Sequence, residues 1–221
     1  MIGFAQVLMQ KNPVLALKWC ERAYELRPKK LHVLRFGGEA ALRAGKPERA
    51  TELFAAALQL EPKDQQTYFN WALTYRARRM LKEHIDALEK YLEQWPNDGR
   101  AYQLLCQGYV DMGQLEAATD VCLRWSKVEG AEVSGTINLA HLLAAQGKNL
   151  QGYIFLNKAL ERFPRHAGLW LCMAHILKEL PQYLEQARTA AENAMASIQT
   201  PPGQPPQVTV ADVEAILRGL N

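Results

Sequence analysis

Three stretches organise this chain: Glu25-Leu26-Arg27-Pro28, Gln59-Leu60-Glu61-Pro62 and Glu93-Gln94-Trp95-Pro96. Their prolines lie 34 residues apart, Pro164 follows at twice that interval, and Gly130 occupies the skipped position. A fixed period of this length is typical of repeat proteins, in which each repeat packs only on its neighbours. The sequence therefore predicts a stack of repeats within its 221 residues.

Each period contains two apolar-periodic segments separated by a helix breaker. The first segments are 34–44, 68–78, 102–112, 136–146 and 170–180. The breakers that follow them are Gly45, Gly113, Gly147 and Pro181, with Arg79 as the exception. Glycine just after a helix and proline shortly beyond one both end helices, so each period predicts a helix, a turn and a second helix. No period-2 pattern of β-branched residues indicates a strand.

Small residues recur at fixed places when each proline is counted as position 32. Position 8 holds Gly38, Ala72, Cys106, Ala140 and Ala174. Position 20 holds Ala16, Ala50, Ala118 and Gly152, and position 27 holds Ala23, Ala57 and Ala159. Small residues allow helices to approach closely, while bulky residues at positions 4 and 24 fill the remaining space.

This pattern resembles the tetratricopeptide repeat (TPR) family over about residues 13–198. The resemblance implies an all-α, right-handed superhelical solenoid of antiparallel helix pairs. We expect repeats at about 1–30, 31–64, 65–98, 99–132, 133–166 and 167–198, the first of them truncated. His84 at position 20, and Tyr91 and Trp125 at position 27, depart from the family pattern. The third and fourth repeats should therefore pack less typically.

The segment after the repeats has a different composition. Residues 199–208 contain four prolines and one glycine, which indicates a linker. Residues 209–221 begin with Thr209 and Asp212, a helix-capping pattern, and carry an apolar stripe. So short a helix is marginal alone and needs a surface to pack on. It either caps the last repeat or lies in a TPR groove, its own or that of a neighbouring molecule.

The resemblance implies that the first helices of the repeats line a concave, peptide-binding groove. Carried onto this sequence, the groove residues are Arg35, Glu39, Phe69, Asn70, Leu73, Arg76, Arg100, Gln103, Gln107, Ile137, Asn138, His141, Leu171 and His175. The five-residue carboxylate clamp of chaperone-binding TPR domains would read Arg35, Glu39, Asn70, Arg100 and Leu104 here. Glu39 would repel a carboxylate and Leu104 lacks the required charge. We therefore expect a groove that binds an amphipathic helix or an extended peptide.

Charge is distributed unevenly along a chain whose formal net charge is +3. Residues 1–110 carry five more basic than acidic side chains, while the remainder is slightly acidic. An acidic partner segment would be steered toward Arg35, Arg43, Arg76 and Arg100, although these can equally be solvated helix faces. The net charge is too low, and aromatic interleaving too sparse, to favour a nucleic-acid partner.

No motif indicates catalysis, and no cofactor-binding motif is present. His141, Cys172 and His175 are weak candidates for a zinc or copper site, because the two histidines share position 9 of adjacent repeats. Structural packing is the more ordinary role for a buried cysteine and two groove histidines. The other three cysteines, Cys20, Cys106 and Cys122, fit helix-packing positions.

The cysteines follow no disulfide pattern, which favours a cytoplasmic protein. No apolar stretch is long enough to insert into a membrane. A periplasmic or membrane-associated location is the alternative if an N-terminal segment has been removed.

The sequence thus predicts a non-catalytic scaffold or adaptor that binds a partner peptide or helix. Two alternatives remain open. One is a self-assembling TPR protein that forms homo-oligomers through its groove or by exchange of the C-terminal helix. The other is an accessory TPR domain of a larger bacterial secretion or envelope-assembly machine.

Overall fold

The computed structural model describes residues 2–198 and 208–220, with side chains from Val7 onward. Within these ranges the protein contains thirteen α-helices, one 3-10 turn at Pro181–Tyr183 and no β-strand. The all-α class expected from the repeats is confirmed. Most of the proline-rich linker expected at 199–208 lies outside the described residues, and the 34-residue division of the chain remains our proposal.

The chain divides into two compact units, Met1–Met112 and Gly113–Asn221. The helices of the N-terminal unit are α1 (Ile2–Lys11), α2 (Pro13–Leu26), α3 (Leu31–Arg43), α4 (Pro47–Leu60), α5 (Gln65–Ala77), α6 (Leu81–Gln94) and α7 (Gly99–Asp111). Those of the C-terminal unit are α8 (Leu115–Trp125), α9 (Glu132–Ala145), α10 (Asn149–Arg162), α11 (Ala167–Leu177), α12 (Leu184–Ala196) and α13 (Val210–Arg218).

Short turns set the direction of successive helices. Gly45, Gly113, Gly130 and Gly147 all have φ between 71° and 78°, a left-handed conformation that glycine adopts without a steric penalty. Arg79 takes the same place between α5 and α6 with φ 59°. Arg79, the expected helix breaker that is neither glycine nor proline, thus has the left-handed backbone conformation typical of glycine.

Helices within a pair lie antiparallel and very close. A Cβ atom added to Gly38, in the middle of α3, would lie 2.5 Å from the Phe54 ring in the middle of α4. Gly38 lies five residues before the end of α3 and Phe54 seven residues after the start of α4, so two side chains at similar distances from the turn meet, as they do in an antiparallel pair. Phe54 is fully buried as a result. The small residue at position 8 therefore makes room for the aromatic residue at position 24.

Each unit contains an apolar core. The core of the N-terminal repeats includes Leu17, Leu34, Leu53 and Phe54. The core of the C-terminal unit includes Leu156, Leu169 and Ile176 and continues into α13, where Val213 is fully buried. The C-terminal helix therefore closes the apolar core of its own unit.

Candidate interaction groove

The predicted groove residues on α3, α5 and α7 form a connected polar surface in the N-terminal unit. Asn70 donates a hydrogen bond to Glu39 over 3.3 Å and accepts one from Gln66 over 3.1 Å. Arg35 lies 3.4 Å from Asp64. Glu39 thus holds the side-chain amide of Asn70.

The same surface continues toward the end of α7. Arg76 lies 3.8 Å from Asp111, which also accepts a hydrogen bond of 2.7 Å from Gln107. Leu73 is half-buried and Gln103 is exposed, and neither takes part in these contacts. Most of the groove residues predicted in the N-terminal unit therefore take part in contacts of two kinds. These are ion pairs between opposite charges and hydrogen bonds made by side-chain amides.

Arg100 links this surface to a buried aromatic cluster. Its guanidinium lies 4.9 Å from the centre of the Phe69 ring and donates hydrogen bonds to Asp98 over 2.8 and 3.1 Å. These bonds raise the pKa of Arg100. Burial acts to raise the pKa of Asp98, but the hydrogen bonds from Arg100 and Tyr91 outweigh it and hold that pKa below its usual value. The ion pair is thus fixed in its charged form.

In the C-terminal unit, α9 and α11 line a cavity of about 500 Å³. Four predicted groove residues face it: Ile137, His141, Leu171 and His175. Cys172 lines it as well and is buried. Asn138 is not among the lining residues; its amide donates to the carbonyl of Ser134 over 2.9 Å, one turn back in the same helix.

The polar groups of this cavity come from three histidines, Cys172, Lys178 and Asp212. The Cys172 sulfur lies 3.6 Å from Nε2 of His141, and the rings of His141 and His175 are 6.2 Å apart. Burial raises the pKa of Cys172 to about 12. Partial desolvation lowers the pKa of both His141 and His175, and the charge of His175 lowers that of His141 further. Near neutral pH these groups are an uncharged thiol and uncharged imidazoles.

The spacing of these side chains does not make a metal centre. Among residues 2–198 and 208–220, no three histidine, cysteine or acidic side chains are grouped so that they hold a metal ion. His141, Cys172 and His175 share one cavity, and their arrangement fits hydrogen bonding to an organic ligand better than coordination.

The C-terminal segment forms another wall of the cavity. Val208, Asp212, Ala215 and Ile216 line it. Helix α13 is held by a reciprocal capping box, in which Thr209 and Asp212 bond each other's backbone amides over 2.8 and 3.3 Å. Its inner face buries Val213 and Ile216. The helix thus contributes both to the core and to the cavity.

No family model matches the sequence, and no curated protein matches it. Solved structures do match. The C-terminal part of a TPR repeat-containing protein from Cytophaga hutchinsonii has a TM-score of 0.69 at 10% identity, covering 89% of this chain and 79% of that one. A TPR protein from Parabacteroides merdae has a TM-score of 0.62 at 16% identity, covering 99% and 83%. YrrB, a TPR protein with an unusual peptide-binding site, has a TM-score of 0.57 at 17% identity, covering 90% and 97%.

The chain has the tetratricopeptide repeat fold. In the repeat division that we propose, α9 and α11 would be the first helices of the fifth and sixth repeats, which are the helices to which the family resemblance assigns the groove. None of the helices in the described part of the chain combines the length and apolar character that spanning a membrane requires.

Several lining residues escaped the sequence analysis. His166 and Gly168 lie at the start of α11, and Asp212, Ala215 and Ile216 lie on α13. The groove positions were transferred from the repeat pattern, which does not extend to a turn residue or to a helix beyond the last repeat. The apolar stripe of 209–221 was the available signal for Ile216. Asp212 and Ala215 carried no such signal.

Proposed function

We propose that this TPR protein is a non-catalytic interaction module that holds a segment of a partner protein along the first helices of its repeats. The observation that carries the proposal is the cavity between α9, α11 and α13, because four residues expected in the groove line it. Its volume of about 500 Å³ lies within the range of about 300–1,000 Å³ typical of ligand sites. The peptide-binding site of YrrB, a protein of the same fold, supports the same role.

The residues that line the cavity determine which chemical groups the partner segment presents. Ile137, Leu171 and Ile216 provide an apolar surface, so the segment contributes an apolar side chain. The uncharged ring of His175 can donate one hydrogen bond and accept another, which suits a peptide group, whereas Nε2 of His141 already contacts the Cys172 sulfur. An apolar anchor flanked by backbone hydrogen bonds accounts for both features.

The N-terminal surface plays a different part in this proposal. Arg35, Arg76 and Arg100 each lie within 4 Å of a carboxylate, Asp64, Asp111 and Asp98 respectively. Their field at a distance is therefore largely cancelled, and steering of an acidic partner is weak. These arginine–aspartate pairs instead form hydrogen bonds with a polar part of the partner segment. Such bonds contribute more to specificity than to affinity.

The test compares partner recovery by the whole protein with recovery by variants that block the cavity. His175→Glu and Ala215→Glu place an additional carboxylate in the cavity, next to its apolar residues, and both positions are exposed enough to tolerate the change. Ile154→Glu, on an exposed site of α10 outside the cavity, is the matched control. We expect the cavity variants to lose partners that the wild type and the control retain, with unchanged melting temperatures. Equal recovery by all four proteins would show that this groove is not the binding site.

A further inference from the structure

A second groove lies in the C-terminal unit, where the ends of α8 and α10 come together with the start of α9. It encloses about 390 Å³, and its lining residues are all different from those of the cavity between α9, α11 and α13. Side chains three and four positions apart share one face of a helix. The faces that line this α8–α10 groove carry Leu123, Ser126 and Lys127 at and just beyond the end of α8, and Phe155, Lys158, Ala159 and Arg162 on α10.

The groove opens at a repeat position that is covered elsewhere. Ala159 occupies position 27, and at intervals of 34 residues it corresponds to Trp125, Tyr91 and Ala57. Those three side chains are buried, whereas Ala159 is half-buried and lies in the wall of the groove. The packing that covers this position earlier in the chain is therefore incomplete at Ala159, and the space beside it is open to solvent.

The α8–α10 groove is basic. Lys127, Lys158 and Arg162 line it and are exposed. Lys158 and Arg162 lie four residues apart on α10, a spacing at which like charges repel each other. Glu132 also lines the groove and lies 3.5 Å from Arg162, but the ion pairs in the described part of the chain include neither Lys127 nor Lys158. Two positive charges thus remain for a ligand to neutralise.

Apolar side chains lie beside these cations. Leu123 and Phe155 are half-buried in the lining, and each precedes a lysine by about one helical turn. Phe163 completes the apolar part of the groove, and its ring lies 5.3 Å from the guanidinium of Arg162. The groove therefore has an apolar region and a basic region about one turn apart along both α8 and α10.

We propose that the α8–α10 groove binds an acidic segment of a partner protein, in which an apolar side chain lies next to carboxylates. The apolar side chain contacts Leu123 and Phe155, since burying it there removes apolar surface from water. The carboxylates face Lys127 and Lys158, so the charges of the two partners are complementary. This site lies apart from the cavity between α9, α11 and α13, so the protein holds two partner segments at the same time.

A short synthetic peptide tests the charge requirement. The probe is a fluorescently labelled pentapeptide with phenylalanine at its centre and glutamate at the other positions, and its binding to the whole protein is measured by fluorescence anisotropy at low ionic strength. Lys127→Glu and Lys158→Glu should each weaken binding by roughly tenfold or more, because an attraction is replaced by a repulsion. Lys82→Glu, at an exposed lysine of α6, changes the net charge equally and should leave the affinity within about twofold of the wild type.

Either of two results in that series would overturn the proposal. One is a wild type that does not bind the peptide. The other is an equal loss of affinity with Lys82→Glu, which would mean that the net charge of the protein and not this groove attracts the peptide. Unchanged melting temperatures would show that all three variants remain folded.

The apolar requirement and the location need separate controls. A peptide with alanine at its centre should bind roughly tenfold more weakly, because it has no large side chain to bury. Inorganic phosphate should displace the peptide no better than sodium chloride at the same ionic strength. Equal binding of the alanine peptide, or strong displacement by phosphate, would mean a simple anion site and would refute the proposal. His175→Glu should leave binding unchanged; a loss with that variant would place the peptide in the other cavity and would also refute it.

Discussion

Tyr91 departs from the repeat pattern and is packed differently from the alanines at the same position of other repeats. Position 27 holds alanine in three of the repeats, whereas Tyr91 is a large side chain that is nevertheless fully buried. Its ring packs 4.7 Å from the Trp95 ring and 5.6 Å from that of Phe69. Its hydroxyl donates to Asp98 over 2.6 Å and accepts from Gln65 over 2.9 Å. Buried polar atoms need such partners, and here both are supplied from neighbouring helix ends.

Replacing Tyr91 with phenylalanine tests the value of these two bonds. We expect Tyr91→Phe to lower the free energy of unfolding by about 1–2 kcal/mol in urea titrations at pH 7. Burial, followed by the bond to Asp98, raises the pKa of Tyr91 to about 12. Because this pKa is raised on folding, its contribution is present below about pH 10 and is lost as the pH rises toward 12. The variant should not show this loss of unfolding free energy as the pH rises from about 10 to 12. If the stability of the variant and the wild type fell equally over this range, the loss would not come from Tyr91.

His84 is the second large residue in a place that other repeats give to a small one. It is fully buried, and its Nδ1 lies 2.9 Å from the carbonyl oxygen of Ala72, so that nitrogen carries the proton. Its Nε2 has no hydrogen-bond partner. Desolvation lowers the pKa of His84, and the charge of Arg76 lowers it further, against opposing effects of the Ala72 bond and Asp111. The ring is therefore held neutral.

A histidine held neutral in the folded state makes stability fall in mild acid. Its folded pKa lies below the unfolded value of 6.5, so the unfolded chain takes up the proton first as the pH drops. Lowering the pH from 6.5 to 5 therefore reduces the free energy of unfolding by up to about 2 kcal/mol. We expect His84→Ala to remove that part of the pH dependence, whatever its stability at pH 7. His32→Ala, at an exposed histidine, should keep the wild-type slope in the same denaturation series.

At the scale of helices, α8 and α9 cross at an unusually close point. A Cβ atom on Gly135 would lie 2.4 Å from the backbone nitrogen of Ser126 and 2.6 Å from the carbonyl carbon of Trp125. Backbone atoms cannot move aside as a flexible side chain can. We therefore expect Gly135→Ala to destabilise the protein by about 3 kcal/mol or more, measured by urea denaturation.

Gly147→Ala is the matched control for this crossing. Gly147 has φ 74° and open space around the place of a Cβ atom. The substitution should therefore cost only the left-handed penalty of about 1–2 kcal/mol. If the two variants lost equal stability, close helix packing would not be the reason for a glycine at position 135.

The turn and helix pattern could be predicted because it depends on local chemistry. Prolines and glycines end helices through their own backbone geometry, and small residues recur where helices touch. The burial of Tyr91 could not be predicted in this way, since its hydroxyl depends on partners outside the repeat consensus, Asp98 and Gln65. Likewise, the repeat positions predicted four of the residues that line the cavity of the C-terminal unit, whereas the wall formed by Asp212 and Ala215 depends on where α13 docks.

The capping box of α13 offers a test of that docking. The helix has only 9 residues, so its stability depends strongly on its first turn. Thr209→Ala removes the hydroxyl that bonds Asp212 and should cost about 1 kcal/mol. Amide hydrogen exchange should accelerate at Val213 and Ile216, while α9 keeps its protection. Thr189→Ala, at a hydroxyl that bonds a backbone carbonyl within α12, is the control and should leave exchange in α13 unchanged.

At the scale of the whole molecule, the two compact units have their own cores and their own polar networks. The bonds of Tyr91 reach Gln65 and Asp98 in the unit Met1–Met112, while Thr209 bonds Asp212 in the unit Gly113–Asn221. Repeat proteins gain stability from neighbouring repeats and not from contacts distant in sequence. Changes at these two sites should consequently act independently.

A double-mutant cycle measures that independence. For Tyr91→Phe and Thr209→Ala, the losses of unfolding free energy should add to within about 0.5 kcal/mol, because the sites share no partner. The comparison pair is Tyr91→Phe with Arg100→Ala, since both side chains bond Asp98. Removing both leaves that buried-facing carboxylate without its two donors, and the coupling should exceed about 0.5 kcal/mol. Strong coupling in the first pair would mean that the network around Tyr91 and the C-terminal cap form one cooperative unit.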